Sequence, residues 1–244
     1  MSASKPKQTP VIELKDVCKT YFMPGGMSQS VLKNISFTVY PGEFVSIMGH
    51  SGSGKSTLMN ILGCLDRPTA GIYELAGQSV SDKSDNELAH IRGKEIGFVF
   101  QNFNLLMKRS IADNVSMPLI YQGIREKERY ERAVQMLHQV QLDGYEDRLP
   151  TQISGGMQQR VAIARALINH PKIIFADEPT GNLDSQTSNE IMDVFTELNK
   201  KGITIVLVTH EDDVANYAKR MIKIDDGRKT YDGPRLNYNK GGKK

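Results

Sequence analysis

A glycine-rich segment has the residue types and spacing of a phosphate-binding loop. It matches the pattern G-x-x-x-x-G-K-[ST] and runs Gly49, His50, Ser51, Gly52, Ser53, Gly54, Lys55, Ser56, followed by Thr57. Glycines let backbone N–H groups turn toward phosphate oxygens, and a helix predicted from Ser56 adds the positive end of its dipole. Lys55 can reach the β- and γ-phosphates, while the Ser56 hydroxyl can ligate Mg²⁺. The pattern predicts a nucleoside triphosphate site but does not distinguish a kinase, a GTPase or a transport motor.

Two adjacent carboxylates, Asp177 and Glu178, follow the apolar run 173–176. At the carboxyl end of a parallel strand, Asp177 would face the same crevice as the phosphate loop and hold Mg²⁺ through water. Glu178 could then orient or deprotonate the attacking water. Adjacent acids alone are common surface features, so this prediction depends on the apolar strand and on the phosphate loop.

Two further polar residues stand at the ends of predicted strands. His210 ends the run 206–209, on the same rim as Glu178, where an imidazole could hydrogen-bond the γ-phosphate. Gln101 follows the run 96–100 and, being neutral, could ligate Mg²⁺ and water without adding charge. Taken singly, either residue could equally have a structural role.

The composition excludes several classes of protein. The 244 residues include 31 basic and 28 acidic side chains, and the net charge of +3 is too mild to indicate a nucleic-acid partner. Apolar residues make up 39%, which is typical of a chain with a buried core rather than of a disordered chain or a rod. Only two cysteines are present, too few for a disulfide framework. Because no run approaches the roughly 18 apolar residues of a membrane span, we expect the chain to stay in the cytoplasm.

A scaffold of alternating strands and helices must position these side chains. The predicted strands are 11–14, 31–39, 44–48, 96–100, 173–176 and 203–208. The last three are nearly continuous apolar runs, as expected of strands covered on both faces. Helical spacing appears at Ile191, Val194, Phe195 and Leu198, and at Ala133, Leu137 and Val140. Since residues 101–166 contain no predicted strand, the pattern indicates an α/β core interrupted by a helical segment.

A third motif, 153–160, places Ser154, Gly155 and Gly156 between the phosphate loop and the carboxylate strand. Together these motifs resemble, in type and order, those of ATP-binding-cassette (ABC) ATPases, over nearly the whole chain from about 11 to 227. The resemblance implies an α/β fold with a P-loop NTPase core, an antiparallel β subdomain and an inserted α-helical subdomain at about 102–166. The ABC ATPase domain would span 11–233, between a flexible N-terminus at 1–10 and a flexible basic tail at 234–244.

The resemblance also implies an ATP site shared between two subunits. The implied roles are adenine stacking by Tyr21, a Q-loop at Gln101, a D-loop at 182–184 that includes Asp184, and a switch histidine at His210. Two subunits would form a head-to-tail homodimer around two ATP molecules, with Ser154 and Gly156 of one subunit contacting the γ-phosphate bound by the other. Gly155 lies between them in the same implied site. Physically, a serine that opens a helix forms a second anion site with the N–H groups that follow it.

One residue departs from the family pattern. Met157 stands where the family usually has glutamine, next to the serine and glycines that would contact phosphate. The polar contact of that amide is absent here, whereas the loop backbone is retained. We expect ATPase activity to survive in reduced form.

Within the family, the motifs resemble the group of macrolide exporters and lipoprotein-release systems. Such ATPases drive permeases by mechanotransmission, in some cases with a periplasmic or other extracytoplasmic adaptor. Since this chain has no apolar span, its permease is expected to be a separate subunit, with the ATPase held by it at the cytoplasmic side of the inner membrane. The segment 102–107, expected near the surface, would receive a short permease helix or would instead pack the helical subdomain on the core; its apolar members are Phe103, Leu105, Leu106 and Met107.

The sequence also bears on three other functions. A regulatory ABC ATPase would drive a transmembrane signalling or cell-wall partner without moving a solute, and the sequence does not separate it from a transporter. A soluble ABC ATPase of translation or DNA repair usually has two cassettes or a long coiled-coil insertion, and this chain has neither. A small GTPase would need an Asn-Lys-x-Asp motif, which is absent.

Overall fold

A computed structural model of the chain describes residues 9–235. Its strands are β1 (Ile12–Phe22), β2 (Ser28–Val39), β3 (Phe44–Met48), β4 (Ala70–Leu75), β5 (Gln78–Ser79), β6 (Ile96–Phe100), β7 (Ile173–Asp177), β8 (Thr204–Val208), β9 (Arg220–Asp225) and β10 (Arg228–Pro234). Its helices are α1 (Lys55–Leu62), α2 (Asp85–Glu95), α3 (Ile111–Ile120), α4 (Glu126–Gln139), α5 (Gly155–Leu167), α6 (Ser185–Lys200) and α7 (Asp212–Ala215), with a 3₁₀ turn at Pro150–Gln152. The predicted flexible segments, 1–10 and 234–244, lie almost entirely outside the described residues.

A six-stranded sheet forms the centre of the molecule, in the order β10-β9-β3-β8-β7-β6. Its strands from β9 to β6 are parallel, and β10 is an antiparallel edge strand. Because the parallel strands end at one edge of the sheet, the loops that follow β3, β6, β7 and β8 meet there. This edge collects the polar residues that the sequence predicts to act together.

Both faces of this sheet are covered, which explains the continuous apolar runs. Successive residues of β7 enter different hydrophobic clusters: Phe175 packs on the side of α1, whereas Ile174 and Ala176 pack on the side of α5 and α6. In β8, Val206 and Leu207 divide in the same way. Side chains that alternate between two buried faces must all be apolar.

A second sheet of four antiparallel strands, in the order β2-β1-β4-β5, covers one face. Ile12 and Leu14 of β1 and Tyr73 of β4 are buried between this sheet and the central one. This is the predicted antiparallel β subdomain. The sequence patterns alone predicted only the first few residues of β1 and most of β2. They missed the strands β4, β5, β9 and β10.

The helices α3, α4 and α5 form the helical part of the molecule. As predicted, residues 101–166 contain no strand. Ala133 and Leu137 of α4 are fully buried, in a cluster that continues onto the face of the central sheet. The helical segment therefore packs onto the core rather than forming a separate body. In the described part of the chain, no helix combines the length and apolarity that a membrane crossing requires.

Candidate nucleotide-binding site

The phosphate loop connects β3 to α1 at the carboxyl edge of the central sheet. Gly54 precedes α1 with a φ of 102°, a left-handed conformation that glycine adopts without strain. A side chain at Gly49 would place its Cβ 2.1 Å from the Ile224 carbonyl oxygen, so the loop approaches β9 too closely for any other residue. The N–H of Ser53 donates to the His50 carbonyl oxygen at 3.2 Å. The first turn of α1, whose N–H groups have no partner within the helix, thus begins at this loop and is suited to bind an anion.

A cavity of about 750 Å³ lies over the loop. The predicted site residues that line it are His50, Ser51, Gly52, Gly54, Lys55, Ser56, Thr57, Gln101, Asp177, Glu178 and His210. They come from four segments that are far apart in sequence, namely the ends of β3, β6, β7 and β8. The parallel sheet brings these segments together.

Lys55 is held at the inner side of the phosphate loop. The residue is only 9% exposed, and its Nζ donates to the carbonyl oxygens of Gly49 at 2.7 Å and His50 at 2.9 Å. These bonds fix the ammonium at the first residue of α1, beside the cavity. A fixed ammonium and the N–H groups of a helix start are complementary to a polyphosphate.

Asp177 ends β7 between the two neighbouring strands of the sheet. Burial raises the pKa of its carboxyl above the ordinary value, and the charge of Glu178 raises it further, whereas Lys55 lowers it. A cation at this point would stabilise the ionised carboxylate. The electrostatics therefore favour the binding of a positive ion beside Asp177.

Glu178 and His210 are in direct contact. His210 Nδ1 lies 2.7 Å from Glu178 Oε1, and because a carboxylate only accepts, the imidazole donates this bond. Glu178 has a φ of 44°, a left-handed conformation that is costly for a residue with a side chain. Its N–H donates to the carbonyl oxygen of Val208 at 2.8 Å, which connects it to β8. The strained backbone and the histidine together direct the carboxylate into the cavity.

Gln101 lines the cavity at the end of β6 and is connected to the loop that follows Glu178. Its Nε2 donates to Asn182 Oδ1 at 3.3 Å, and Asn182 Nδ2 donates to the Gln101 carbonyl oxygen at 3.1 Å. A Cβ at Gly181 would lie 2.6 Å from Gln101 Nε2, so a side chain there would displace the Gln101 amide. The predicted Q-loop and D-loop segments are thus one connected unit.

Seven predicted site residues do not line the cavity: Tyr21, Gly49, Ser53, Ser154, Gly155, Gly156 and Asp184. Gly49 and Ser53 belong to the phosphate loop itself, where Gly49 approaches β9 and Ser53 donates to the His50 carbonyl oxygen. Tyr21 lies on β1 and its hydroxyl donates to Asp66 Oδ2 at 2.9 Å. The remaining four lie at the starts of α5 and α6.

The starts of α5 and α6 pack against each other. Ser154 is the N-cap of α5, where its Oγ accepts from the N–H of Met157 at 3.3 Å. Asp184 is the N-cap of α6, and hydrogen bonds donated by Thr187 lower the pKa of its carboxyl. A Cβ at Gly156 would lie 2.4 Å from Thr187 Cγ2, so the helix starts meet at van der Waals distance. The two capped helix starts form one surface outside the cavity.

Met157 is half-buried and packs against the hydrophobic cluster that surrounds α5. The thioether therefore contributes to packing within the subunit. The reduced activity expected from this residue stays a prediction.

Sequence reasoning missed two residues of the cavity wall. Val31 of β2 and Val208 of β8 both line it. Neither has a chemical signal in the sequence, because a valine in a strand ordinarily indicates only a buried face. Their position at the cavity follows from the pairing of strands.

The donor set in the cavity could hold a magnesium ion. The Ser56 hydroxyl, the Gln101 side-chain amide and the Asp177 carboxylate all line the cavity and can supply hard oxygen ligands. Within the part of the chain that the structure describes, no group of three or more His, Cys, Asp and Glu side chains is placed to hold a metal. One carboxylate and one hydroxyl suit an ion that is also bound by substrate phosphates, which is typical of Mg²⁺.

A family model described as "ABC transporter" matches residues 32–181, more than half of the chain. The chain belongs to the ABC transporter family. The predicted family and fold class are confirmed, and this ABC chain is an ATPase cassette.

The similarity of this ABC cassette to known proteins extends over most of its length. It is 54% identical over 220 residues to the macrolide export ATP-binding/permease protein MacB of Syntrophobacter fumaroxidans, covering 89% of this chain but 31% of that protein. It is 53% identical to the ABC transporter ATP-binding protein YknY of Bacillus subtilis, covering 89% of this chain and 94% of that one. The chain thus spans about a third of the length of that MacB relative and nearly all of YknY.

A solved structure has the same fold. The ATP-binding cassette MJ0796, in a dimeric post-hydrolysis state bound to ADP and Pi, superposes with a TM-score of 0.83 and 45% identity. The match covers 93% of this chain and 100% of that chain.

Proposed function

We propose that this cassette hydrolyses Mg²⁺-ATP to power a separate membrane permease of the MacB type, acting at the cytoplasmic side of the inner membrane. The observation that carries the proposal is the convergence of Lys55, Gln101, Asp177, Glu178 and His210 on one cavity over a phosphate loop. The transported substrate would be chosen by the permease. The ATPase domain would span residues 11–233, with the helical subdomain at about 102–166.

Hydrolysis would follow from the positions of the side chains. Glu178 would orient the attacking water and accept its proton, and His210 would hold the carboxylate in place through the contact with Nδ1. The other ring nitrogen, Nε2, would face the γ-phosphate and could hydrogen-bond it. Lys55 would stabilise charge on the β- and γ-phosphates.

Magnesium would be held by Ser56, Gln101 and Asp177 together with the phosphates. The ion would supply neutralisation of phosphate charge. The residues themselves position the ligands: Ser56 is the second residue of α1, directly after Lys55, and Asp177 is fixed at the end of β7.

The active unit would be a head-to-tail homodimer around two ATP molecules. Ser154, Gly155, Gly156 and Asp184 lie outside the cavity of their own subunit, at the starts of α5 and α6. The start of α5, which a serine caps, is suited to bind an anion. They would complete the site of the facing subunit. Tyr21 would stack on the adenine.

Replacing Met157 with glutamine is expected to strengthen ATP-driven dimerisation by about 0.5–1.5 kcal/mol, the value of one added hydrogen bond at the dimer contact. The measurement is the dimer dissociation constant with ATP, by analytical ultracentrifugation in a Glu178→Gln background. Met157→Leu is the matched control, because it keeps an apolar side chain against the cluster around α5. Equal or weaker dimerisation of the glutamine variant would show that packing outweighs any amide contact.

The permease would dock on the surface beside the segment 102–107. Leu106 and Met107 are 44% and 48% exposed, whereas Leu105 is 7% exposed and Phe103 packs against the helical cluster. The expected surface location is therefore wrong for Leu105, because its side chain fills the contact between the helical segment and the core. The proposed docking surface therefore consists of Leu106 and Met107.

An extracytoplasmic adaptor would attach through the permease. We expect no nucleic-acid partner.

The variant Leu106→Asp is expected to keep its basal ATPase activity and to lose co-purification with the permease and permease-dependent stimulation. Asn114 fixes the backbone of Leu106, with Oδ1 accepting from the Leu106 N–H at 2.7 Å, so an exposed charge should not disturb the fold. A charge buried in an apolar contact without a partner should weaken docking by at least tenfold. The measurement is co-purification from membranes together with phosphate release.

Leu65→Asp is the matched control, since Leu65 is 52% exposed and follows α1, outside the segment 102–107. It should assemble with the permease as the wild type does. Normal assembly of Leu106→Asp would exclude this docking surface, and loss of its basal activity would place Leu106 in the core.

A further inference from the structure

Gln159 is a fully buried polar residue on α5 whose contacts lie outside its own helix. Its Nε2 donates to the carbonyl oxygen of Pro179 at 2.5 Å and lies 3.5 Å from that of Phe100. Phe100 is the residue before Gln101, and Pro179 is the residue after Glu178. One side-chain amide thus connects α5 to the backbone beside two residues of the nucleotide cavity.

The orientation of this amide follows from its surroundings. Both groups that face Nε2 are carbonyl oxygens, which only accept, so the NH₂ group must point toward them. Among the residues that the structure describes, no hydrogen-bond partner is found for Gln159 Oε1, which is also buried. A buried amide whose oxygen lacks a partner is costly to the fold. A contribution to the stability of the fold is therefore not enough to explain why a glutamine stands at position 159.

The loop that Gln159 contacts is strained at a functional residue. Glu178 has a φ of 44°, and such a conformation persists only when the surrounding structure constrains it. Two backbone hydrogen bonds constrain this residue directly: Glu178 N–H to Val208, and Gly181 N–H to the Glu178 carbonyl oxygen at 3.1 Å. The hydrogen bond from Gln159 Nε2 to the Pro179 carbonyl oxygen holds the same loop from the side of α5.

We propose that Gln159 is a positioning residue for ATP hydrolysis. Its amide connects α5 to the backbone before Gln101 and after Glu178, and so holds both side chains at the cavity. A displacement of the start of α5, where Ser154 and Gly156 lie, is then transmitted to Glu178. The inference rests on the proposed ATPase function, and it adds a route between the surface at the helix starts and the residue that acts on water.

The variant Gln159→Glu tests the proposal, because it replaces the NH₂ donor by a carboxylate oxygen of the same shape. We expect kcat for Mg²⁺-ATP hydrolysis to fall by about tenfold or more, as is typical when a reacting group is misplaced. The KM and the Kd for ATP should change by less than about twofold, since the phosphate loop is untouched. Unchanged kcat would overturn the proposal, and so would a raised KM at constant kcat.

Asn199→Asp is the matched control for this change. Asn199 Nδ2 also donates to two carbonyl oxygens, of Gly42 and Ile203 at 2.9 Å each, but at the amino ends of β3 and β8, away from the cavity. It should lower the unfolding temperature without changing kcat. If both variants lose kcat in proportion to stability, Gln159 has only a structural role.

Two further measurements keep the test decisive. Gln159→Met, which removes both polar groups and fits the same volume, replaces Gln159→Glu if the latter does not fold, and it should show the same loss of kcat. In single-turnover experiments, Gln159→Glu should add little to the rate loss of Glu178→Gln, because both act through the same carboxylate. Additive losses would contradict the proposal. Absence of ATP hydrolysis by the wild type would instead refute the proposed function itself.

Discussion

The variant Glu178→Gln is expected to bind ATP normally and to hydrolyse it about 10²- to 10⁴-fold more slowly than the wild type, as typical for loss of a general base. The amide has the shape of the carboxylate and can still accept the hydrogen bond from His210 Nδ1, now 2.7 Å long. What it lacks is the basicity needed to take a proton from water. Because ATP then stays intact, the ATP-bound dimer should accumulate. The measurements are phosphate release at saturating Mg²⁺-ATP and size-exclusion chromatography with ATP.

Glu211→Gln is the matched control for Glu178→Gln. Glu211 is an exposed carboxylate that follows His210 directly, and it does not line the cavity. Its removal changes the same amount of charge close to the site, so near-normal turnover is expected. Near-normal turnover in Glu178→Gln would contradict the role of Glu178 as the general base. Equal losses of turnover in both variants would indicate a general electrostatic effect.

Replacing Lys55 with alanine is expected to weaken ATP binding itself, by about 10- to 100-fold, because a hydrogen bond to a charged group contributes about 1.5–3 kcal/mol. Lys55 is nearly buried and bonded to the carbonyl oxygens of Gly49 and His50, so its removal also loosens the phosphate loop. The measurement is the ATP dissociation constant by isothermal titration calorimetry. Thus Lys55→Ala should fail at binding, and Glu178→Gln should fail at hydrolysis.

The control for Lys55→Ala is Lys200→Ala. Lys200 is an exposed lysine at the end of α6, with its Nζ 2.7 Å from Glu197 Oε1. The loss of this surface ion pair should leave ATP affinity unchanged. Unaltered affinity in Lys55→Ala would contradict a phosphate-binding role for the loop lysine.

Much of the scaffold was predictable where a segment carries its own pattern. β3 and β6 have the predicted bounds, and β7 extends by one residue to Asp177. These strands are covered on both faces, so nearly every residue is apolar and the run is recognisable in the sequence. By contrast, β9 contains buried residues such as Ile222 next to charged ones such as Lys223, so it has no continuous apolar run. It forms a strand because it pairs with β3 and β10.

The sequence by itself determined the chemistry of the site: a phosphate loop, an Asp–Glu pair at a strand end, and capped helix starts, each written in a few consecutive residues. Only the tertiary structure decided that His210 contacts Glu178, that Leu105 is buried while Leu106 is exposed, and that Gln159 reaches the backbone on both sides of the cavity. The physical reason is the separation along the chain of the residues that each feature depends on. Loop and strand patterns depend on neighbours along the chain, whereas these contacts join segments that meet only after the parallel strands have paired and the helical segment has packed onto the sheet.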